Sequence, residues 1–319
     1  MLKLVVAVLS FLSNAALAQN AAYPARAVRV IVPFPAGGSA DLMPRIVAER
    51  LVAKWGQPVV IDNRPGAAGN IGAELVYKAE PDGYTLLSAP PPPLVINASL
   101  YPKLAYDPSR FVPVSVIGAI PNVFLVHPGV PVATVKDAIA YARANPGKWN
   151  YASQGNGTTS HLTAELFKHM AGGLSITHVP YKGTAPALVD LLGGHVQIMF
   201  DNLGVSLQHV RAGKLRALAV ASEKRLSALN DVPAMAETLP GFLSLAWFGI
   251  VAPPKTPAVV AEKFSAAVAD ALKEPEVLRR LSDLSAEPLG MAPGQMAEFM
   301  KQEVTRWRGV IRVANVRLE

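Results

Sequence analysis

Short runs of β-favouring residues alternate with amphipathic helical patterns along nearly the whole chain, and this alternation constrains the fold most strongly. The first part predicts strands at 28–32, 59–61 and 84–88, with helices at about 42–55 and 71–79 between them. Strands that alternate with helices form mostly parallel sheets whose faces are covered by those helices. The pattern therefore predicts an α/β protein.

The alternation starts again at about Val112, where the sequence predicts strands near 114–117 and 122–127 and a helix at 135–145. It indicates a second α/β unit that runs to about Val220. The last part, 258–312, is dominated by amphipathic helices. A chain of 319 residues is expected to form about two domains. If the middle unit is flanked by segments of the other one, the chain crosses between two lobes near Ile120 and near Trp247. Such a hinge lets two lobes close on a ligand.

The first residues have the pattern of a secretory signal peptide. Lys3 precedes an apolar run, and the small residues Ala16 and Ala18 fit an A-x-A cleavage site. Polar residues interrupt the run before it reaches the roughly 20 apolar residues that a membrane-spanning helix needs. We therefore expect residues 1–18 to be removed during export to the periplasm, so that a soluble mature protein begins at Gln19.

Composition and spacing exclude several classes of site. The chain has no cysteine, which rules out disulfides, thiolate metal sites and a cysteine nucleophile. The net charge is +7, but the basic residues are scattered, so we expect anionic small molecules rather than nucleic acid as partners. His161, Glu165 and His169 would extend over about 12 Å of helix, too far for one ion. The sequence predicts no bound metal.

A Gly-rich loop at 33–41 joins the first strand to the first helix. The free N–H groups and the dipole at a helix start favour an anion, and each hydrogen bond to a charged group contributes about 1.5–3 kcal/mol. We predict Asp41 as the N-cap, because Pro44 then lies at N3, where no helical donor is needed. The loop has neither a G-x-G-x-x-G nor a P-loop motif, which argues against a nucleotide cofactor. A tight turn without a ligand is the alternative interpretation.

A second loop of this kind, at 153–161, joins a strand to a helix in the second unit and adds hydroxyl groups. Open α/β sheets bind ligands at the carboxyl ends of their strands, where two such loops would converge. The chain has no G-x-S-x-G or H-E-x-x-H motif, and the adjacent side chains of Ser160 and His161 diverge. The sequence therefore favours a binding protein over an enzyme, although a triad assembled in space stays open.

Several segments, spread in order over the mature chain, carry a resemblance to a known family: 31–38, 62–72, 81–87, 155–158, 179–183, 190–194, 199–202 and 248–254. With them the chain resembles the Bug family, the periplasmic substrate receptors of tripartite tricarboxylate transport systems. The resemblance implies a two-lobed Venus flytrap fold with the ligand cleft between the lobes, built from 19–120 plus 247–319 and from 121–246. It implies a small organic carboxylate as ligand, held by backbone donors and water, and the integral-membrane transporter subunits as partners.

The loops and the resemblance together give one set of predicted ligand-binding residues and no catalytic residue. The set comprises Phe34, Ala36, Gly37, Gly38, Ser39, Asp41, Ala89, Pro90, Ser153, Gly157, Thr158, Thr159, His161, Gly183, Thr184, Ala185, Asp201 and Asn202.

The chain departs from similar proteins after the strand at 84–88. Those proteins usually carry polar or small residues there, whereas Ala89 is followed here by the four prolines of 90–93. This rigid segment either forms an apolar wall for an apolar or aromatic part of the ligand, or is a stiff connector outside the cleft. Because fold does not fix use, a sensing receptor with a membrane signalling partner and an exported α/β hydrolase are the alternative functions.

Overall fold

The computed structural model describes residues 23–317, so the predicted signal peptide and its cleavage site lie outside the described residues. Within residues 23–317, no helix combines the length and the apolar character that crossing a membrane requires. Strands and helices alternate through this range, which confirms the α/β prediction.

The elements agree with the predicted ones to within a few residues in most places. The strands are β1 (Val28–Val32), β2 (Val59–Asn63), β3 (Thr85–Ala89), β4 (Val112–Val126), β5 (Asn150–Ser153), β6 (Thr177–Pro180), β7 (Ile198–Asn202), β8 (Arg216–Val220), β9 (Leu245–Ala252) and β10 (Glu287–Pro288). The α-helices are α1 (Ser39–Trp55), α2 (Asn70–Tyr77), α3 (Asn97–Leu100), α4 (Val135–Ala144), α5 (Thr159–Met170), α6 (Thr184–Leu192), α7 (Leu203–Arg211), α8 (Ala258–Ala271), α9 (Pro275–Asp283) and α10 (Pro293–Val313).

Strand β4 is shared by two sheets. One sheet has the order β2-β1-β3-β9-β4 and the other has the order β4-β7-β5-β6. Up to Pro121, β4 pairs antiparallel with β9; from Asn122 it pairs with β7 and β8. The prediction of two separate strands near 114–117 and 122–127 is therefore wrong. β4 is continuous because β8 pairs with it from Val123 onward, just after its pairing with β9 ends at Pro121.

The two passages of the chain between the sheets lie side by side. Asn122 N donates to Ser244 O at 3.1 Å, and Ser244 N donates to Ala221 O at 2.8 Å. Ser244 Oγ also lies 3.0 Å from Asn122 Nδ2 and 2.5 Å from Thr163 Oγ1. We keep the lobes 19–120 plus 247–319 and 121–246 as a proposal, which this change of sheet partner supports.

Both faces of the first sheet are covered. Val30 and Ile31 point to opposite faces of β1, and both are buried in separate apolar clusters. Successive strand residues alternate between faces, so a continuous apolar run is what a sheet covered on both sides requires. Helices α1 and α8 contribute to one cluster and α10 to the other. The sheets are thereby held rigid beneath the loops that follow their strands.

Candidate functional site

Two cavities lie where the loops after β1, β5, β6 and β7 meet. The inner cavity has a volume of about 20 Å³ and is lined by Phe34, Pro35, Gly38, Ser39, Ala40, Pro90, Gln154, Gly183, Thr184, Asn202 and Phe248. The outer cavity has a volume of about 630 Å³ and is lined by Pro33, Phe34, Pro35, Pro65, Gly66, Ala67, Ala68, Gly69, Tyr101, Gln154, Gly155, Asn156, Pro180, Tyr181, Lys182 and Gly183. Four residues line both cavities, so together they form one cleft.

Helix α1 begins three residues earlier than the sequence indicates, at Ser39 rather than at about 42. Gly38 is its N-cap, with an extended backbone at φ −87° and ψ 170°, and no side chain caps the helix. Asp41 N and Leu42 N already donate to Gly38 O at 2.9 and 3.0 Å. The prediction that Asp41 is the N-cap is therefore wrong. Its carboxylate instead reaches back to accept a hydrogen bond from Gly37 N at 3.0 Å, and Pro44 lies inside the helix.

Asp41 links the first loop to β2 and to helix α1 through hydrogen bonds. Its Oδ1 accepts hydrogen bonds from Arg45 and from Asn63 Nδ2, both at 2.9 Å, and Asn63 Nδ2 also donates to Phe34 O at 3.0 Å. Burial disfavours the ionised form of Asp41, but the bonds from Arg45, Gly37 and Asn63 outweigh it and lower its pKa. The structure places this carboxylate outside the lining of both cavities.

Three helices begin at the inner cavity without a side-chain cap. Gly38 precedes α1, Gly183 precedes α6 and Asn202 precedes α7. The first N–H groups of a helix have no partner within it, and the helix dipole adds positive potential there. Ser39 Oγ, a hydroxyl that can donate, is also buried without a hydrogen-bond partner, as is the acceptor Asn202 Oδ1. The inner cavity therefore gathers helix starts from both sheets, whose free N–H groups give it the chemical character of an anion site.

The two sides of the cleft approach each other through glycines. A Cβ atom on Gly38 would lie 3.5 Å from Thr184 Oγ1, and one on Gly183 would lie 3.2 Å from Pro35 Cγ. Gly183 also has a φ of +111°, which residues with side chains rarely adopt. These glycines allow the helix starts to reach the same small cavity.

The second loop turns most of its polar groups away from the cleft. Thr158 caps α5 by accepting from His161 N, and its hydroxyl donates to Gly155 O at 2.7 Å. Gly157 N donates to His161 Nδ1 at 3.1 Å. The predicted residues Ser153, Gly157, Thr158, Thr159 and His161 are buried and line neither cavity.

Gln154 is the polar residue of the second loop that lines both cavities, and it is not among the predicted ligand-binding residues. Its Nε2 donates to Asp201 Oδ1 at 2.8 Å. Asp201 is fully buried, and burial raises its pKa to about 7 although the bond from Gln154 opposes the shift. Asp201 therefore acts on the cleft through Gln154. The position of Gln154 directly after β5 is the sequence signal that points to it.

The remaining predicted residues divide between the cleft and its surroundings. Phe34, Pro90, Gly183 and Thr184 line the inner cavity, whereas Ala36, Gly37 and Ala185 are exposed outside it and Ala89 is buried at the end of β3. Residues 90–93 are buried, and the last two of them begin a π-helical turn at Pro92–Ile96. Pro90 lines the inner cavity, whereas residues 91–93 line neither cavity, so the apolar wall and the stiff connector both stay predictions.

A cluster of aromatic side chains lies next to the second loop, with Tyr151 and His161 buried and His178 half-buried. The rings of His161 and His178 stack with centroids 4.2 Å apart, and His178 also stacks on Tyr151. Burial lowers the pKa of His161 to about 4 and that of His178 to about 3. Ser153 Oγ lies 2.6 Å from His178 Nε2. His178 thereby contacts Ser153, the residue directly before Gln154.

The Ser153–His178 pair bears on the hydrolase alternative, because a serine bonded to histidine is part of a catalytic triad. Ser153 is 0% exposed and lines neither cavity. In the range 23–317, no carboxylate forms an ion pair with His178. The pair is an internal hydrogen bond beneath the loop rather than a nucleophile facing the cleft.

Two α/β halves that share a ligand cleft lined by helix starts define a two-lobed solute-binding receptor. The family described as tripartite tricarboxylate transporter family receptor, TctC, matches residues 43–316. The chain belongs to this family, and the resemblance to the Bug receptors is confirmed.

Individual relatives agree in sequence and in structure. Protein BugT of Bordetella pertussis is 39% identical over 300 residues, which are 93% of this chain and 92% of that protein. The solved structure of R. palustris Rpa4515 with adipate is 40% identical, with a TM-score of 0.89 over 92% of this chain and 99% of that one. The periplasmic binding protein BugD is 34% identical, with a TM-score of 0.88 over 93% of this chain and 100% of that one. These neighbours confirm the predicted two-lobed fold.

Proposed function

We propose that the protein is an exported periplasmic receptor that binds a small carboxylate and delivers it to the membrane subunits of a tripartite tricarboxylate-type transporter. The observation that carries this proposal is the meeting of three uncapped helix starts, from both sheets, at the inner cavity. The adipate in the structure of Rpa4515 and the periplasmic location of BugD support it by family relationship.

Hydrogen bonds rather than an ion pair hold the carboxylate in this proposal. The N–H groups of Ser39, Ala40 and Thr184 and the hydroxyl groups of Ser39 and Thr184 are the donors at the inner cavity. The one cation of the cleft lining, Lys182, is exposed and lines only the outer cavity. A pair with an exposed lysine contributes about 0–1 kcal/mol, less than two directed bonds to a carboxylate.

Binding is coupled to the movement of the lobes. An inner cavity of about 20 Å³ has room for about one water molecule, so a carboxylate enters only when Gly38 and Thr184 move apart. The adjacent chain passages at 121–122 and 244–245 provide the hinge for this movement. In this proposal the ligand is bound and released unchanged.

The test is calorimetry with mono-, di- and tricarboxylates on the wild type, on Gly183→Ala and on Gly173→Ala. Both glycines have positive φ, +111° and +81°, but an added Cβ meets Pro35 at 3.2 Å only at Gly183 and nothing within 4 Å at Gly173. We expect Gly183→Ala to weaken carboxylate binding at least about tenfold, a loss of about 1.4 kcal/mol, and Gly173→Ala to retain it. Equal affinities in the two variants, or no binding of any carboxylate to the wild type, would refute the proposal.

A further inference from the structure

The outer cavity is much larger than a carboxylate group needs, and its walls are mainly apolar. The rings of Phe34, Tyr101 and Tyr181 face it together with proline rings such as Pro65 and Pro180. Its volume of about 630 Å³ lies in the range of pockets that enclose whole small molecules. The outer cavity therefore has room for the part of the ligand that lies beyond the carboxylate.

Tyr181 presents its ring rather than its hydroxyl group to the cavity. The hydroxyl donates to Asp190 Oδ2 at 2.5 Å, and Asp190 does not line the cavity. The donor of this tyrosine is thus already used by a residue behind the wall. What remains for a ligand is the aromatic face, which favours stacked or edge-on aromatic partners.

Another part of the wall is formed by strained backbone. Ala67 and Ala68 have φ values of +46° and +51°, a left-handed conformation that residues other than glycine rarely adopt. Such strain persists where the surroundings enforce it, and it concentrates at ligand sites. Here it places two alanines, with no polar side chain, beside Gly66 and Gly69 along the cavity.

One ligand can extend through both cavities. Phe34, Pro35, Gln154 and Gly183 line the inner and the outer cavity alike, so they surround the passage between them. A carboxylate at the helix starts would place the rest of the molecule beside Phe34 and against Tyr101 and Tyr181.

We propose that the ligand is an aryl monocarboxylate whose aromatic ring occupies the outer cavity against Phe34, Tyr101 and Tyr181; this inference rests on the proposed carboxylate-receptor function. A second carboxylate at that position would lose its hydration among prolines and aromatic rings, which is unfavourable without full compensation. Lys182 is the only charged side chain of the lining, and as an exposed cation it compensates little. The apolar walls therefore favour a ring over a second charge.

The experiment compares 3-phenylpropanoate with adipate by calorimetry on the mature protein, because the two share a carboxylate on a short chain and differ at the far end. We expect 3-phenylpropanoate to bind at least about tenfold more tightly, as burial of an aromatic ring predicts. Tyr181→Ala and, from the other side of the cleft, Tyr101→Ala should each weaken 3-phenylpropanoate about tenfold and adipate less than about twofold. Tyr181→Phe keeps the ring and should retain affinity, and Val189→Ala, at an exposed position of α6, is the matched surface control.

The outcomes separate the two proposals. If adipate binds more tightly and Lys182→Met removes its advantage, the ligand is a dicarboxylate and the aryl proposal is overturned while the receptor function stands. If the wild type binds neither probe nor any carboxylate of the wider screen, both proposals fall. If Tyr181→Ala loses its folded circular-dichroism spectrum, Tyr101→Ala decides the role of the outer wall.

Discussion

Asp201 shows how a single buried residue links the cleft to pH. It has no exposed surface, its Oδ2 has no hydrogen-bond partner, and its Oδ1 accepts from Gln154. Burial disfavours the carboxylate and raises the pKa of Asp201 to about 7. Near neutral pH the residue is therefore partly protonated, unlike Asp41, whose three donors lower its pKa.

The pKa of Asp201 predicts how Asp201→Asn changes stability with pH. In the unfolded chain the residue ionises near pH 3.8, and in the fold it ionises near pH 7. Protonated Asp201 stabilises the wild-type fold fully below pH 3.8. This contribution to the free energy of unfolding is lost as the pH rises to 7, because Asp201 ionises first in the unfolded state. The asparagine variant lacks this loss, so its free energy of unfolding should rise relative to the wild type across that window and then level off.

Urea denaturation of both proteins at several pH values between 4 and 8 measures this difference. His161 and His178, whose lowered pKa values destabilise the fold as the pH falls, are present in both proteins and cancel in the comparison. A difference that stays constant with pH would show that Asp201 ionises normally in the fold.

At the scale of elements, Glu303 fastens the last helix to the first sheet. Its Oε2 accepts from Trp247 Nε1 on β9 at 2.7 Å and from Trp307 Nε1 on α10 at 3.1 Å. Arg306 Nε donates to Oε1 at 2.6 Å. Glu303 is 7% exposed and both indoles are buried, so these groups have little contact with water in the folded chain. Their hydrogen bonds to one another replace the bonds to water that they form in the unfolded chain.

Glu303→Ala should lower the free energy of unfolding by about 3–5 kcal/mol, since it leaves two buried indole N–H groups and Arg306 without their acceptor. Glu298→Ala is the control, because Glu298 lies on the same helix, is 61% exposed and pairs only with Lys301 at 3.4 Å. Chemical denaturation of both variants makes the measurement. Similar stabilities for the two variants would mean that apolar packing of Trp247 and Trp307 holds α10 without the carboxylate.

At the scale of the whole molecule, β4 and the start of β9 connect the two sheets, and the inner cavity lies between helix starts from both. A ligand that bonds to α1 and to α6 contacts both sides and therefore stabilises the closed arrangement. We expect the radius of gyration measured by small-angle scattering to decrease when the tightest carboxylate from the screen is added to saturation. An equal concentration of sodium chloride is the control, and an unchanged radius with bound ligand would remove the hinge from the mechanism.

Local pattern was sufficient to locate many of the elements, because hydrophobic periodicity and turn residues mark a helix or a strand in the chain before its partners are known. The strand at 28–32, the Gly-rich loop after it and the helix at 135–144 follow from spacing and turn residues. The places where prediction failed depend on distant partners. β4 is continuous because β8 replaces β9 along its edge, and α1 begins at Ser39 because Asn63 and Arg45 hold Asp41 below the loop.

The sequence by itself determined the α/β class and the family, and it indicated the first loop as a candidate anion site, because the motifs behind each of these lie in short stretches of the chain. Only the tertiary structure decided which donors face the ligand. Thr158 and His161 have the residue types of a binding loop, yet they bond to Gly155 and Gly157, while Gln154 reaches the cleft. The inner cavity depends on Gly38 lying next to Thr184, which is far away in the chain, and packing between lobes brings them together.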